Sequence, residues 1–278
     1  REKLENPDRF VLMFAPISRT FEASYDFSGS EVPIPAFERN HIVLPTNLQE
    51  NLAFLRGWQK LFHRDSFVYD YPLGRAHYGD FGYVHIARVI SSDIKQLHKM
   101  GLDGYISCQE LRVTFPNALP NYVMGYTLFD ESADPQALIQ EYFTAAYGER
   151  AEQVLSYLNE LSTLSSCDYL NGKGPRTDPA IAHRMEQISQ LCQNSLPTPS
   201  TDGSPLFWEI LQYHREYILV LSRAMGALAR GDSQQAATGW YEMRELICKN
   251  ELKYQPFLDV YRILEVTRKY TGFPLSEG

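Results

Sequence analysis

The sequence predicts an α/β fold: the C-terminal part of a (β/α)8, TIM-like barrel over residues 1–130, followed by an all-α helical domain over residues 131–278. Three observations carry this. Residues 9–17, RFVLMFAPI, form an apolar run without alternation, the pattern of a strand buried on both faces of a parallel sheet. The unit of short strand, polar cluster and helix then recurs near Ile17, Asp70 and Glu110, as right-handed crossovers require. From Pro120 onward strand-like runs stop and helical periodicity takes over. Only three or four strands are visible where a closed barrel needs eight. The pattern therefore fits the end of a barrel, or an open α/β layer, followed by helices.

Residues 26–39 carry Gly29, Pro33 and Pro35 and no periodicity, and read as a long loop. His41 to Pro45 reads as a short strand. Thr46 or Asn47 caps a helix whose stripe is Leu48, Leu52, Leu55 and Trp58, with His63 near its end. Phe67-Val68-Tyr69 is the next strand. Ile86, Ile90, Ile94 and Leu97 define a second helix, and Gly101 suits its left-handed end. Residues 102–107 give another strand. Helices follow over residues 122–128, from Asp134-Pro135 to Gly148, over 151–164, and from Asp178-Pro179 to about 196. Asn171 to Pro175, NGKGP, reads as a plain linker. Further helices are expected over residues 205–230, 232–249 and 257–270, a bundle or cap on the α/β part.

Composition narrows the function. The 278 residues carry a net charge of −8, which argues against nucleic-acid or anionic-membrane surfaces. No run approaches the roughly 18 apolar residues of a spanning helix. No signal-peptide pattern is read in the first residues, and since these run from Arg1-Glu2-Lys3 almost directly into a strand, the natural N-terminus is expected upstream. Cys108, Cys167, Cys192 and Cys248 are far apart, without metal-ligand spacing; they read as free thiols in a reducing, cytoplasmic setting. Aromatic residues make up 13%, including 18 Tyr, which suits a cleft that stacks on a ligand and hydrogen-bonds it, as sugar sites do.

The stretch with most chemistry is residues 66–82, SFVYDYPLGRAHYGDFG: a strand that ends in a glycine-punctuated loop of rings and charges. Asp70, Glu110 and Glu22 lie just past strand ends. Two facing carboxylates are what glycosidic cleavage needs. Each also has an arginine within a few residues, so ion pairing is an equal alternative. Arg75 and Arg112 offer forks for a substrate carboxylate, and Arg19 follows the first strand. His77 is placed as a proton carrier or hydroxyl partner. Cys108 reads as a strand-end thiol rather than a nucleophile. No HExxH, Walker or G-x-G-x-x-G pattern occurs, so neither metal nor cofactor is expected.

Residues 67–112, FVYDYPLGRAHYGDFGYVHIARVISSDIKQLHKMGLDGYISCQELR, with LPNYVMGYTLFDESAD and EYFTAAYG after them, resemble the bacterial carbohydrate-associated domain family DUF4838. That family occurs in larger proteins similar to α-glucuronidases and β-hexosaminidases. The resemblance implies later strands of a (β/α)8 barrel, a helical C-terminal region and action on glycans. It places Tyr69, Asp70 and Tyr71 on a strand-end motif, Arg75, His77 and Tyr78 on its loop, and Gln109, Glu110 and Arg112 on the last strand-end motif. Asp70 and Glu110 are then the expected catalytic or subsite carboxylates of a glycoside hydrolase-like protein. Tyr69, Tyr71 and Tyr78 would stack on sugars, and Arg19, Arg75, His77, Gln109 and Arg112 would hold substrate, possible uronic acids included. In related hydrolases a catalytic acid sits on an earlier strand, which motivates the alternative of a non-catalytic carbohydrate-binding or scaffold module. A third reading makes the helices from Pro205 onward an interaction surface.

Overall fold

A computed structural model of the chain describes residues 5–28, 32–36, 38–62 and 64–273. Gly29 and His63 lie outside them. Strand β1 (Leu12–Phe14), helix α1 (Leu48–Gln59), β2 (Ser66–Asp70), α2 (Val84–Lys95) and β3 (Gly104–Ser107) alternate as expected. The strands are all parallel, in the order β1-β2-β3, with Met13 opposite Phe67 and Tyr69 opposite Ile106.

The barrel expectation is overturned. Among the described residues there is one sheet of three strands, and the chain is mainly helical, so no (β/α)8 barrel forms. The apolar runs that suggested more strand lack ladder partners. Ile42, Val43 and Leu44 are 78%, 73% and 54% exposed, and the segment makes a single bridge, His41 to Glu38. Strand propensity records fit to a pleated, half-buried surface, and without a neighbouring strand it yields none. The 9–17 run shrinks to three paired residues for the same reason. The sheet is also covered on one face only: Leu12, Phe14 and Val68 pack on Leu52 and Leu55 of α1, whereas Met13 and Ile106 stay about half exposed.

The helices follow their signals closely. They are α3 (Leu119–Phe129), α4 (Pro135–Tyr147), α5 (Ala151–Leu164), α6 (Cys167–Leu170), α7 (Pro179–Asn194), α8 (Pro205–Arg230), α9 (Ser233–Lys249), α10 (Glu251–Tyr254) and α11 (Val260–Thr271). Asp134, Asp178, Asp232 and Asp259 each cap the helix that follows through a carboxylate that accepts first-turn amides. None of these helices is long and apolar enough to cross a membrane.

One apolar core joins the two halves: Tyr78 and Phe81 of the glycine-rich stretch and Val84 of α2 pack with residues from α3 to α11. Two features fix this junction. Asp80 accepts from the Ile86 amide at 2.7 Å, the Gly82 amide at 3.2 Å and the Ser162 hydroxyl at 2.5 Å, tying the start of α2 to α5. Gly82 lies so close to α5 that a Cβ there would overlap the Leu158 carbonyl. Gly82→Ala is therefore expected to lose about 1–3 kcal/mol of stability, the usual cost of overpacking. Urea denaturation checks this, and an unchanged midpoint would mean that α5 is free to shift.

Candidate functional site

All three strands end on the same side, and the segments that follow them enclose a cavity of about 430 Å³. Arg19 and Phe21 come from the segment after β1, Tyr71 and Arg75 from the loop after β2, and Cys108, Gln109 and Glu110 from the residues after β3. The helical half closes it with Asp168, Asn171 and Lys173 around α6 and Arg262 on α11. Sequence thus places Arg19, Tyr71, Arg75, Gln109 and Glu110 in one site.

Glu110 is the predicted carboxylate that reaches the cavity. Its Oε1 accepts from Arg262 Nε at 2.7 Å, and Arg262 Nη1 also holds Glu265 at 2.5 Å. Burial raises the Glu110 carboxyl above its usual range, with Arg262 working in the opposite direction. Opposite in charge arrangement is Lys173: its ammonium donates to Asp168 at 2.9 Å and to the Arg19 carbonyl at 3.0 Å. Asp168 also accepts from the Thr20 hydroxyl at 2.8 Å.

Asp70 does not line the cavity. Strand alternation turns Ser66, Val68 and Asp70 to the covered side of β2. There Asp70, 3% exposed, accepts from Arg19 Nη1 at 3.3 Å and from the Tyr71 amide at 2.9 Å. Arg19 Nη2 binds Asp93 of α2 at 2.5 Å, and its guanidinium lies over the rings of Phe21 and Tyr25 at 4.5 and 4.3 Å. Burial raises both carboxyls, that of Asp93 to about 6, while Arg19 pulls them down. This is the ion-paired alternative that the nearby arginines allowed.

The remaining predicted residues serve elsewhere. His77 is fully buried with its ring 4.0 Å from that of Tyr78; burial and then Arg262 push its pKa down to about 3, so it is neutral near pH 7 and carries no proton to the cavity. Tyr78 is a core residue, and burial raises its phenol. Tyr69 lies edge-on to Tyr71 at 5.2 Å, beside Cys108. Arg112 faces Asp259 at 3.8 Å, at the start of α11. Glu22 accepts from the Ser166 hydroxyl at 2.6 Å and the Asp168 amide at 2.8 Å, and so anchors α6. The cysteines are free: Cys167 and Cys192 buried, Cys108 half-buried, Cys248 exposed.

Sequence reasoning missed Asp168, Asn171, Lys173 and Arg262. The NGKGP stretch is a site loop rather than a linker: Gly172 and Gly174 take φ of 82° and 76° and fold Lys173 back over the Arg19 carbonyl. A lysine between two glycines was the available signal. Arg262 meets Glu110 across 152 residues, which no local pattern announces.

No group of three or more His, Cys, Asp or Glu able to hold a metal occurs among the described residues. Compared with protein-family models, with curated proteins and with solved structures, the chain matches none.

Proposed function

We propose that the chain binds glycans in this cavity as a non-catalytic part of a carbohydrate-active protein. The observation that carries the reading is the lock of Arg19 on Asp70. Cleavage needs two carboxyl groups free to face one glycosidic bond; Asp70 is locked away from the cavity, and of the two carboxylates that line it Glu110 is bound by Arg262 and Asp168 by Lys173. What the cavity offers suits recognition. Tyr71 supplies ring surface, Gln109 and Asn171 are partners for hydroxyls, and Arg75, beside the Lys173–Asp168 and Arg262–Glu110 pairs, offers positive charge to a sugar that bears an acidic group. The glycan class itself is taken from the sequence resemblance of residues 67–112, which no family model reproduces.

Titration calorimetry with short neutral and uronic-acid-bearing oligosaccharides tests this. Acidic oligosaccharides are expected to bind, and Lys173→Met to weaken them about tenfold, or about 1.4 kcal/mol, close to the lower end of the usual range for a hydrogen bond to a charged group. Reducing-end assays should show no cleavage. Absence of binding removes the proposal. A second reading, hydrolysis with Glu110 as the proton donor, is favoured by the burial that raises its carboxyl. Release of reducing ends that Glu110→Gln abolishes would install it.

A further inference from the structure

We propose that the open face of the β-sheet is an interface between two copies of this chain, packed sheet on sheet across a two-fold axis. The proposal does not rest on the glycan reading, and its test involves no sugar.

All-parallel sheets occur almost only with both faces covered. Here α1 covers one face, and the other stays open. Register and alternation set Met13 opposite Phe67, and Tyr69 opposite Ile106, on that open face. Met13 and Ile106 are about half exposed, and Phe67 and Tyr69 are partly so. The apolar surface continues at both ends of β1, where Val11 and Ile17 are exposed by half or more. The three strands carry one charged side chain, Asp70, which points to the covered face and is paired with Arg19.

Area, charge and symmetry select a second copy as the occupant. A compact monomer of 32.0 kDa exposes about 12,000 Å², whereas this chain exposes 14795 Å². The excess, roughly 2,500 Å², is more than the ~800 Å² that each partner gives to a standard interface. Each copy carries a net charge of −8, so two copies repel one another over most of their surface. The open sheet face is an uncharged place for them to meet. A two-fold contact needs a patch complementary to itself. Apolar side chains without charge satisfy that condition, and the buried parts of homodimer interfaces are more apolar than those between unlike partners. Two such sheets stacked about 10 Å apart share one core. Ile17 also lines the cavity, so the second copy sits at the cavity's rim.

Sedimentation velocity of the full chain, from about 1 to 50 μM, decides it. The chain is expected to sediment as a dimer, with a dissociation constant in the micromolar range or below. Met13→Lys and Ile106→Lys should each weaken dimerisation at least tenfold, because each buries an unpaired ammonium in an apolar contact. Leu252→Lys, at a residue 88% exposed on α10 in the helical half, should leave it unchanged. Hydroxyl-radical footprinting of the unaltered chain reads the same face without a substitution, and decides where a lysine variant fails to fold. Met13 and Tyr69 should gain at least threefold protection as concentration rises, and Tyr261, 75% exposed on α11, should gain none. A monomer at every concentration, or a dimer that keeps its affinity in both strand variants, would overturn the proposal. So would association lost equally in Leu252→Lys, or protection that passes over Met13 and Tyr69.

Discussion

Arg19→Ala is expected to lower folding stability by about 3–5 kcal/mol, the cost of removing one partner from a buried ion pair. Arg19 is 2% exposed and holds two carboxylates, Asp70 and Asp93, that are 3% and 5% exposed. Without it both charges are stranded beside the rings of Phe21 and Tyr25. Three elements also lose their common tie: the segment after β1, the end of β2 and α2. Lysine should rescue little, because a single ammonium cannot replace a planar fork that spans two carboxylates. Replacing the whole group, with Arg19→Met, Asp70→Asn and Asp93→Asn together, should recover part of the loss, since no lone charge then stays buried. Urea denaturation with the coupling between single and combined variants is the measurement. A loss under 1 kcal/mol for Arg19→Ala would mean that water reaches the group and that Asp70 is available to the cavity after all.

The same geometry changes what Asp70→Asn should do. For a catalytic carboxylate the substitution removes turnover and leaves stability intact. For this one it should lower stability, because the carboxylate is half of what neutralises a buried guanidinium.

Helices were largely legible because their signals are local. Asp-Pro at 134–135 and 178–179, and Gly231 in the left-handed conformation after α8, are read within a turn or two of the chain. Strands were less legible, since a strand exists only where another chain segment pairs with it. Residues 9–17 and 41–45 have similar apolar character, but only Leu12–Phe14 meets a neighbour. The barrel was an extrapolation from that apolar character. The site divides along the same line. Arg19, Tyr71, Arg75, Gln109 and Glu110 were found because each closely follows an apolar run that does form a strand. Asp168, Asn171, Lys173 and Arg262 come from the helical half, brought in by tertiary packing, and His77 and Tyr78 were misread because a loop in sequence is core in space.

Two buried histidines should each contribute a loss of stability in acid. Burial pushes both His77 and His214 from 6.5 down to about 3; Arg262 adds to this at His77, while a hydrogen bond to the Phe81 backbone opposes it at His214. The unfolded chain takes a proton on each near pH 6.5, and the folded chain not until about 3. Their contribution is therefore complete above pH 6.5 and is lost as pH falls toward 3, at about 1.4 kcal/mol per pH unit for each. Asp93 has the opposite sign: raised from 3.8 to about 6, its folded form takes the proton first, so acidification through that window adds stability. Asp70 and Asp80 are raised too and act in the same direction. The net slope of the parent is thus a contest, and single variants separate the contestants. His214→Phe keeps a ring beside Phe115 and Tyr217. It should make stability less acid-sensitive by about 1.4 kcal/mol per unit between pH 6 and 4, whereas Asp93→Asn should make it more so. Loss of the hydrogen bond to Phe81 shifts the whole curve without changing its slope, so urea midpoints at pH 4, 5, 6 and 7 isolate the proton term. A His214→Phe curve parallel to the parent would place a charged or solvated imidazole where the fold puts a dry one.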